Sequence, residues 1–230
     1  MEEDEAKRLF KEGNRLYGEG KYQEAVDSYD KALVINPKYA PAWINRGNAL
    51  AINPKYAPAW VNRGISLHHL VRYREAIDSC DKSLAIDPKL AAAWSGRGAV
   101  LDELGRHQEA TDSFDKALTI DPKLAAAWLL RGVALANLGR NQETLDSCDQ
   151  APLTIDPKLA AAWPLRGVAL AALERYQEAV NSYEEALKHN PDSSSAYKGK
   201  IDALDRLEEW LKIRRPPNPY VELFKEVMAT

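Results

Sequence analysis

Cysteine, methionine and phenylalanine are scarce in this chain of 230 residues, at two, two and three copies. Two thiols, Cys80 and Cys148, cannot build the disulfide framework that staples small secreted domains, and their number suits a reducing compartment. Also absent is an uninterrupted apolar run near the ~20 residues that a membrane span needs. The opening MEEDEAKRLF is acidic and lacks the basic start and apolar core of a secretory signal, so the expectation is a cytoplasmic protein with no membrane partner. Charge of one sign is in short supply too, with 31 Lys and Arg against 34 Asp and Glu. No long basic cluster is there to neutralise a row of phosphates, so nucleic acid is not an expected partner.

The usual catalytic signatures are missing as well: the phosphate-binding loop, the HExxH zinc pattern and the GxSxG nucleophile pattern. GRGAVL at Gly96 has two of the three glycines of a dinucleotide fingerprint but falls inside a helical pattern. His68 and His69 are neighbours on one helix and diverge by about 100°, so they share no ligand-binding face. Neither catalysis, a cofactor nor a metal is expected.

What is present is a repeat. Trp43, Trp60, Trp94, Trp128 and Trp163 follow one another at 17, 34, 34 and 35 residues, and Leu9 precedes Trp43 by 34. Four residues after each stands a glycine: Gly13, Gly47, Gly64, Gly98, Gly132 and Gly167. Each full unit reads as two amphipathic helices, and a period of that length means stacked helical hairpins. In the unit from Ala91, the small residues Gly98 and Ala110 allow facing helices to approach closely. Gly105 can take the left-handed geometry that ends a first helix, and Pro122 stops the second.

With Trp94, Gly98, Leu101, Gly105, Ala110, Phe114, Ala117 and Pro122 in place, the chain resembles the tetratricopeptide-repeat (TPR) family over about residues 6 to 193. The resemblance implies an all-α fold, a right-handed superhelical solenoid of helix-turn-helix hairpins. Residues 1–5 read as an acidic extension, and the repeats as 6–39, 57–90, 91–124, 125–159 and 160–193. A half-repeat spans 40–56, a polar-faced capping helix with Trp210 and Leu211 turned inward spans 194–213, and a proline-containing linker with a short amphipathic tail spans 214–230.

The half-repeat explains the spacing of 17. APAWINRGNAL is a first helix that runs straight into AINPKYAPAW, the way second helices end, so one helix has dropped out at the join Ala49-Leu50. Residues 40–52 should form a helix stopped by Asn53-Pro54. Either residues 6–52 make a three-helix block on which the next array packs, or the uncovered face finds a second copy and gives a homodimer. A further irregularity is LDSCDQAPLTIDP, where one residue is inserted and Pro152 enters a second helix. A kink or early stop is expected near Ala151. Pro164 lies near enough to a helix start to be tolerated.

Two recurring features need assignment. Cys80 and Cys148 stand in the slot held by Tyr29, Phe114 and Tyr183 elsewhere, and are expected to be core thiols too far apart to pair. Arg46, Arg63, Arg97, Arg131 and Arg166 precede the repeat glycines. They are either a row of guanidinium groups for an acidic ligand or structural partners of aspartates such as Asp27, Asp30, Asp78, Asp112 and Asp115.

The resemblance also implies a concave face lined by first helices and used for peptides. Carried over by register, the candidate residues are Phe10, Asn14, Tyr17, Asn45, Val61, Ile65, His68, Ser95, Asp102, Leu129, Val133, Ala136, Asn137, Val168, Ala171 and Ala172. Polarity falls toward the C-terminus. Asn14 and Asn45 match the asparagines of the carboxylate clamp that some family members use, but Phe10 replaces its first lysine and the later cationic positions hold Pro58, Asn62, Ala92 and Gly96. A clamp without cations cannot fix a carboxylate. The expectation is a non-enzymatic scaffold or adaptor that binds an apolar or amphipathic peptide. One such peptide is in the chain itself, where Tyr220, Leu223, Phe224 and Val227 form a helical stripe after the prolines.

Overall fold

Paired helices form where the 34-residue period predicts them. The computed structural model describes residues 2–36, 39–50, 57–151 and 161–214, which contain twelve α-helices and no strand. They are α1 (Glu2–Gly18), α2 (Tyr22–Ile35), α3 (Ala40–Leu50), α4 (Ala57–His69), α5 (Tyr73–Ile86), α6 (Ala91–Glu103), α7 (His107–Ile120), α8 (Ala125–Asn137), α9 (Asn141–Gln150), α10 (Ala162–Ala172), α11 (Tyr176–His189) and α12 (Ser194–Arg214). Two compact units result, Met1–Leu138 and Gly139–Thr230.

In the first unit α1 pairs with α2, α4 with α5 and α6 with α7, and each hairpin stacks on the next. The close approach within a hairpin is made by glycine beneath an aromatic ring. A Cβ added to Gly98 would sit 2.9 Å from the ring of Phe114, and Gly13 lies under Tyr29 in the same way. Both rings are fully buried. Tryptophans seal the seams between hairpins: Trp43 packs on Ala32, Leu33 and Ala42, Trp94 on Val61, Leu84 and Ala93, and Trp128 in the cluster of Phe114, Leu118 and Ala127.

At the half-repeat the chain places a single helix, α3, between α2 and α4 in sequence. α3 packs against α2 on one side and α4 on the other, and a Cβ on Gly47 would lie 3.2 Å from the Cα of Arg63. Residues 51–56, with the expected stop at Asn53-Pro54, fall outside the described segments.

Turns and stops follow local chemistry. Gly105 ends its first helix at φ +73°, as expected, and Gly20 and Gly139 do the same at +77° and +71°. Val71 and Glu174 occupy this turn position at φ +59° without being glycine, and a β-branched side chain is strained there. Helices α5 and α7 end at Asp-Pro-Lys. The carboxylates of Asp87 and Asp121 accept the N–H of Lys89 and Lys123 at 2.9 and 3.0 Å, while the indoles of Trp94 and Trp128 donate to the carbonyls of Pro88 and Pro122 at 3.0 and 2.9 Å. Each Trp is therefore tied to the stop of the preceding helix. Helix α9 ends at Gln150, four residues shorter than α5, α7 and α11, in keeping with the early stop expected before Pro152.

The second unit packs α9 and α11 on α10 and closes with α12 on α11. Tyr183 lies between two glycines, for added Cβ atoms would come within 2.8 Å of its ring at Gly167 and 2.5 Å at Gly199. Two expectations are corrected. Glu2 to Glu5 form the first turn of α1 rather than a separate extension, because nothing in EEDE breaks a helix and acidic residues suit its N-terminus. The cap α12 is not polar outside: Tyr197, Ile201, Leu204 and Leu211 are exposed, so Leu211 does not turn inward as Trp210 partly does.

The fold makes a paired prediction. Gly98→Ala should cost about 1–3 kcal/mol by driving Cβ into a ring that cannot move, while Val71→Gly should add about 1 kcal/mol by relieving the left-handed strain. Urea unfolding midpoints of the two variants measure both.

Candidate functional site

The candidate residues fall on α1, α3, α4, α6 and α8 of the first unit and α10 of the second. At the N-terminal end Phe10 is half-buried, packed on Tyr29 and Tyr39 with ring centroids 5.9 and 5.1 Å away. Asn14 Oδ1 accepts the hydroxyl of Tyr29 at 2.9 Å and the amide of Asn45 at 2.7 Å, so the two asparagines bind each other. Tyr17 stacks edge-on against Tyr22 at 5.4 Å. These four residues make a local polar and aromatic network.

Val61 needs correction. It is only 6% exposed and packs with Leu84 and Ala93, because its place on α4 falls in the angle between its own hairpin and the next first helix. One turn further, Ile65 is 43% exposed and His68 half-buried. With Gly64, Cys80, Gly96, Ala99 and Val100 they line a pocket of about 70 Å³. Sequence register found two of its seven residues among the candidates. The pocket's floor, Cys80, was legible only as a small residue in a large residue's slot.

On α6, Ser95 is partly exposed and Asp102 is engaged with His107, whose Nδ1 lies 2.6 Å from its Oδ1. On α8, Leu129, Val133 and Ala136 are half-buried and Asn137 is exposed. In the second unit, Val168, Ala171 and Ala172 of α10 line one pocket of about 330 Å³ together with Tyr183, Gly199, Asp202, Ala203 and Arg206. Val168 is 52% exposed.

The arginine ladder faces the second helices. Arg97 Nε reaches Asp81 at 2.8 Å and its Nη1 reaches Ser113 Oγ at 3.0 Å; Arg166 holds Asp149 and Ser182 at 2.7 and 2.8 Å. Arg131 binds Asp115 at 2.6 Å, and Arg46 binds Asp30. Each of these arginines is paired with the acid 16 or 17 residues earlier. Of the other three expected partners, Asp27 and Asp112 instead accept from Gln23 and Gln108. Arg63 keeps its serine, Ser79 at 2.7 Å, but Gly47 stands sixteen residues before it, where the lost helix would have carried the acid. The ladder thus clamps neighbouring hairpins.

Both thiols are buried, and burial pushes each up to about 12, so they stay protonated and inert. Among the described residues no cluster of His, Cys, Asp and Glu could hold a metal, and no helix is long and apolar enough to cross a membrane.

Comparison with known proteins agrees with this architecture. Family models described as TPR repeat or tetratricopeptide repeat match residues 13–51, 57–90, 91–124 and 160–193. Together these span more than half of the sequence. The chain belongs to the tetratricopeptide-repeat family, and its fold is a helical solenoid of that family. No curated protein sequence matches it. Among solved structures, YrrB, described as a TPR protein with an unusual peptide-binding site, is 24% identical, with TM-score 0.55 over 84% of this chain and 90% of its own. MamA from Desulfovibrio magneticus RS-1 is 18% identical, with TM-score 0.55 over 83% and 98%. PilF of Pseudomonas aeruginosa is 17% identical, with TM-score 0.58 over 87% and 99%.

The side-chain geometry makes two predictions. Arg97→Met should lower stability by about 1–2 kcal/mol, since a charge-assisted pair and a serine contact are lost, whereas Asp81→Asn, half exposed, should cost under about 1 kcal/mol. If the ladder served a ligand instead, Arg97→Met would unfold at the wild-type urea midpoint. The second concerns His68, whose pKa is held below its ordinary 6.5, first by burial and then by His69, with Glu103 opposing. The unfolded chain binds this proton more readily than the folded one. The contribution is therefore whole above about pH 6.5 and is lost as pH falls through the lowered value. His68→Gln should flatten the fall in urea midpoint between about pH 7.5 and pH 5.5.

Proposed function

We propose that this chain is a non-enzymatic scaffold whose first helices take up an apolar or amphipathic peptide. The observation that carries the reading is the state of the exposed first-helix positions. Ile65, Leu129, Val133 and Val168 leave apolar surface open, while the charged ladder is used up between hairpins. A wall of small and branched side chains suits an apolar ligand, and helix-in-groove or extended-peptide binding is the mode such a wall supports. The unusual peptide-binding site of YrrB, a protein of the same fold, is further support. Each unit contributes its own contact region: Ile65, His68, Ser95, Leu129 and Val133 in the first, and Val168, Ala171 and Ala172 in the second.

The tail is an internal competitor on this reading. It begins directly after α12, whose exposed Tyr197, Ile201, Leu204 and Leu211 give its apolar residues a nearby surface, and a short tether supplies a millimolar effective concentration. Self-association is the second reading. Its face is the surface near residues 40–56, and the exposed α12 stripe of Tyr197, Ile201, Leu204 and Leu211 offers a second one.

Peptide-library panning against the full chain and a variant ending at Arg214 tests these readings. Leu129→Glu and Val168→Glu should each weaken the selected peptides at least about tenfold at unchanged helix content by circular dichroism. Retained binding moves the site to the second helices. Light scattering across concentration should find the full chain monomeric. A concentration-dependent dimer favours self-association.

A further inference from the structure

One hairpin has a hollow where three others carry an aromatic ring. In the hairpins α1/α2, α6/α7 and α10/α11 the residue over the first-helix glycine is Tyr29, Phe114 or Tyr183, and all three are buried. In α4/α5 it is Cys80, a far smaller side chain, 2% exposed. Sixteen residues after each of these comes the facing position of the next first helix: Asn45 after Tyr29, Leu130 after Phe114 and Gly199 after Tyr183. Gly199 is required by the ring pressed against it. After Cys80 the position is also glycine, Gly96, yet the one atom near its absent Cβ is the thiol at 3.6 Å, an ordinary contact. Nothing in the packing demands this glycine, and a glycine inside a helix is destabilising relative to alanine. The other thiol has no such companion, for Leu165 stands in the matching place after Cys148 once the inserted residue is counted.

Two small residues thus coincide once, and the result is the pocket of about 70 Å³ beneath Ile65, His68 and Ala99. Its lining is aliphatic apart from the imidazole of His68 and the thiol of its floor, and the thiol is protonated. The volume is roughly half that of an engineered cavity of about 150 Å³ that accepts benzene, so the end of a branched aliphatic chain fits better than a ring. The rim is acidic. Glu103, one turn beyond Ala99, is exposed, and its charge is felt by His68, while Arg63 and Arg97 point to Ser79, Asp81 and Ser113 on second helices. No lysine or arginine stands at the first-helix face positions of α4 and α6, which hold Pro58, Ile65, His68, His69, Ala92, Ser95, Ala99, Asp102 and Glu103.

We propose that the Cys80–Gly96 pocket is a specificity socket for one leucine-sized aliphatic side chain of a partner peptide, with a lysine or arginine beside it facing Glu103. This rests on the reading of the first helices as a peptide-binding face. The socket makes the ligand preference of α4 and α6 differ from that of a repeat with an aromatic ring at residue 80.

The test uses the full chain and isopentylammonium as probe, with 3-methylbutanoate as the anion of similar shape. In methyl-resolved NMR, isopentylammonium should shift Ile65 and Val100 saturably and 3-methylbutanoate should bind several-fold more weakly. Cys80→Phe, which copies Phe114, and Gly96→Leu, which copies Leu130, fill the socket from opposite sides and should each abolish the shifts. Absence of wild-type shifts, or their persistence in a folded variant, overturns the socket. Peptides from the panning separate the two readings. If they lose affinity about tenfold with Gly96→Leu and prefer an aliphatic residue beside a cation, the socket stands. If they are weakened by Leu129→Glu but indifferent to Gly96→Leu, the socket falls and the peptide face remains. Saturable probe shifts without any recovered peptide leave an aliphatic cavity and overturn both the peptide reading and the socket's role in it.

Discussion

Close approach of helices through glycine is the constraint on which the rest depends. A single hairpin of about 30 residues cannot bury enough apolar surface to be stable alone. It gains a core only when its helices come near enough for Tyr29, Phe114 or Tyr183 to lie flat over Gly13, Gly98 or Gly167, and when the next hairpin covers what remains. The tryptophans and the arginine ladder work on that second step. Trp94 and Trp128 bind the carbonyl at the preceding helix stop, and Arg97 joins an acid on the hairpin before to a serine on its own. Stacking is thereby held in register by groups that lie away from the first-helix face.

That division of labour is what connects the fold to the proposed function. Charged and aromatic side chains are committed to the seams, so the first helices present mostly small and branched residues. The face left open is therefore apolar and mildly acidic in the first unit, and α10 with α12 shapes a separate pocket in the second. The half-repeat at α3 is accommodated in the same terms. α4 stacks directly on α3, and the visible trace is Arg63 without the acid its neighbours enjoy.

Most of the architecture was legible because its causes are periodic. Trp and Gly spacing predicts every hairpin, Gly105 its left-handed turn, and Pro152 the short α9. Where sequence and structure part, the cause is non-local. Val61 is swallowed by an angle between helices that register alone does not describe, and the ladder takes the expected Asp30 and Asp115 but, of the rest, Asp81 and Asp149 rather than acids three residues earlier, because of how far a guanidinium reaches across a seam. The outward apolar stripe of α12 defies the rule that a cap is polar outside, since Leu211 and Trp210 follow a helical phase set by packing on α11. The socket lay in plain sight as two small residues sixteen apart, but its meaning needs the third dimension, where Cys80 and Gly96 face each other.

Amide hydrogen exchange of the full chain, with and without a peptide selected on it, tests the central claim most directly. The account predicts added protection in α4, α6, α8 and α10, with α5, α7 and α11 unchanged. Protection confined to those second helices, or none at all at saturating peptide, would contradict it.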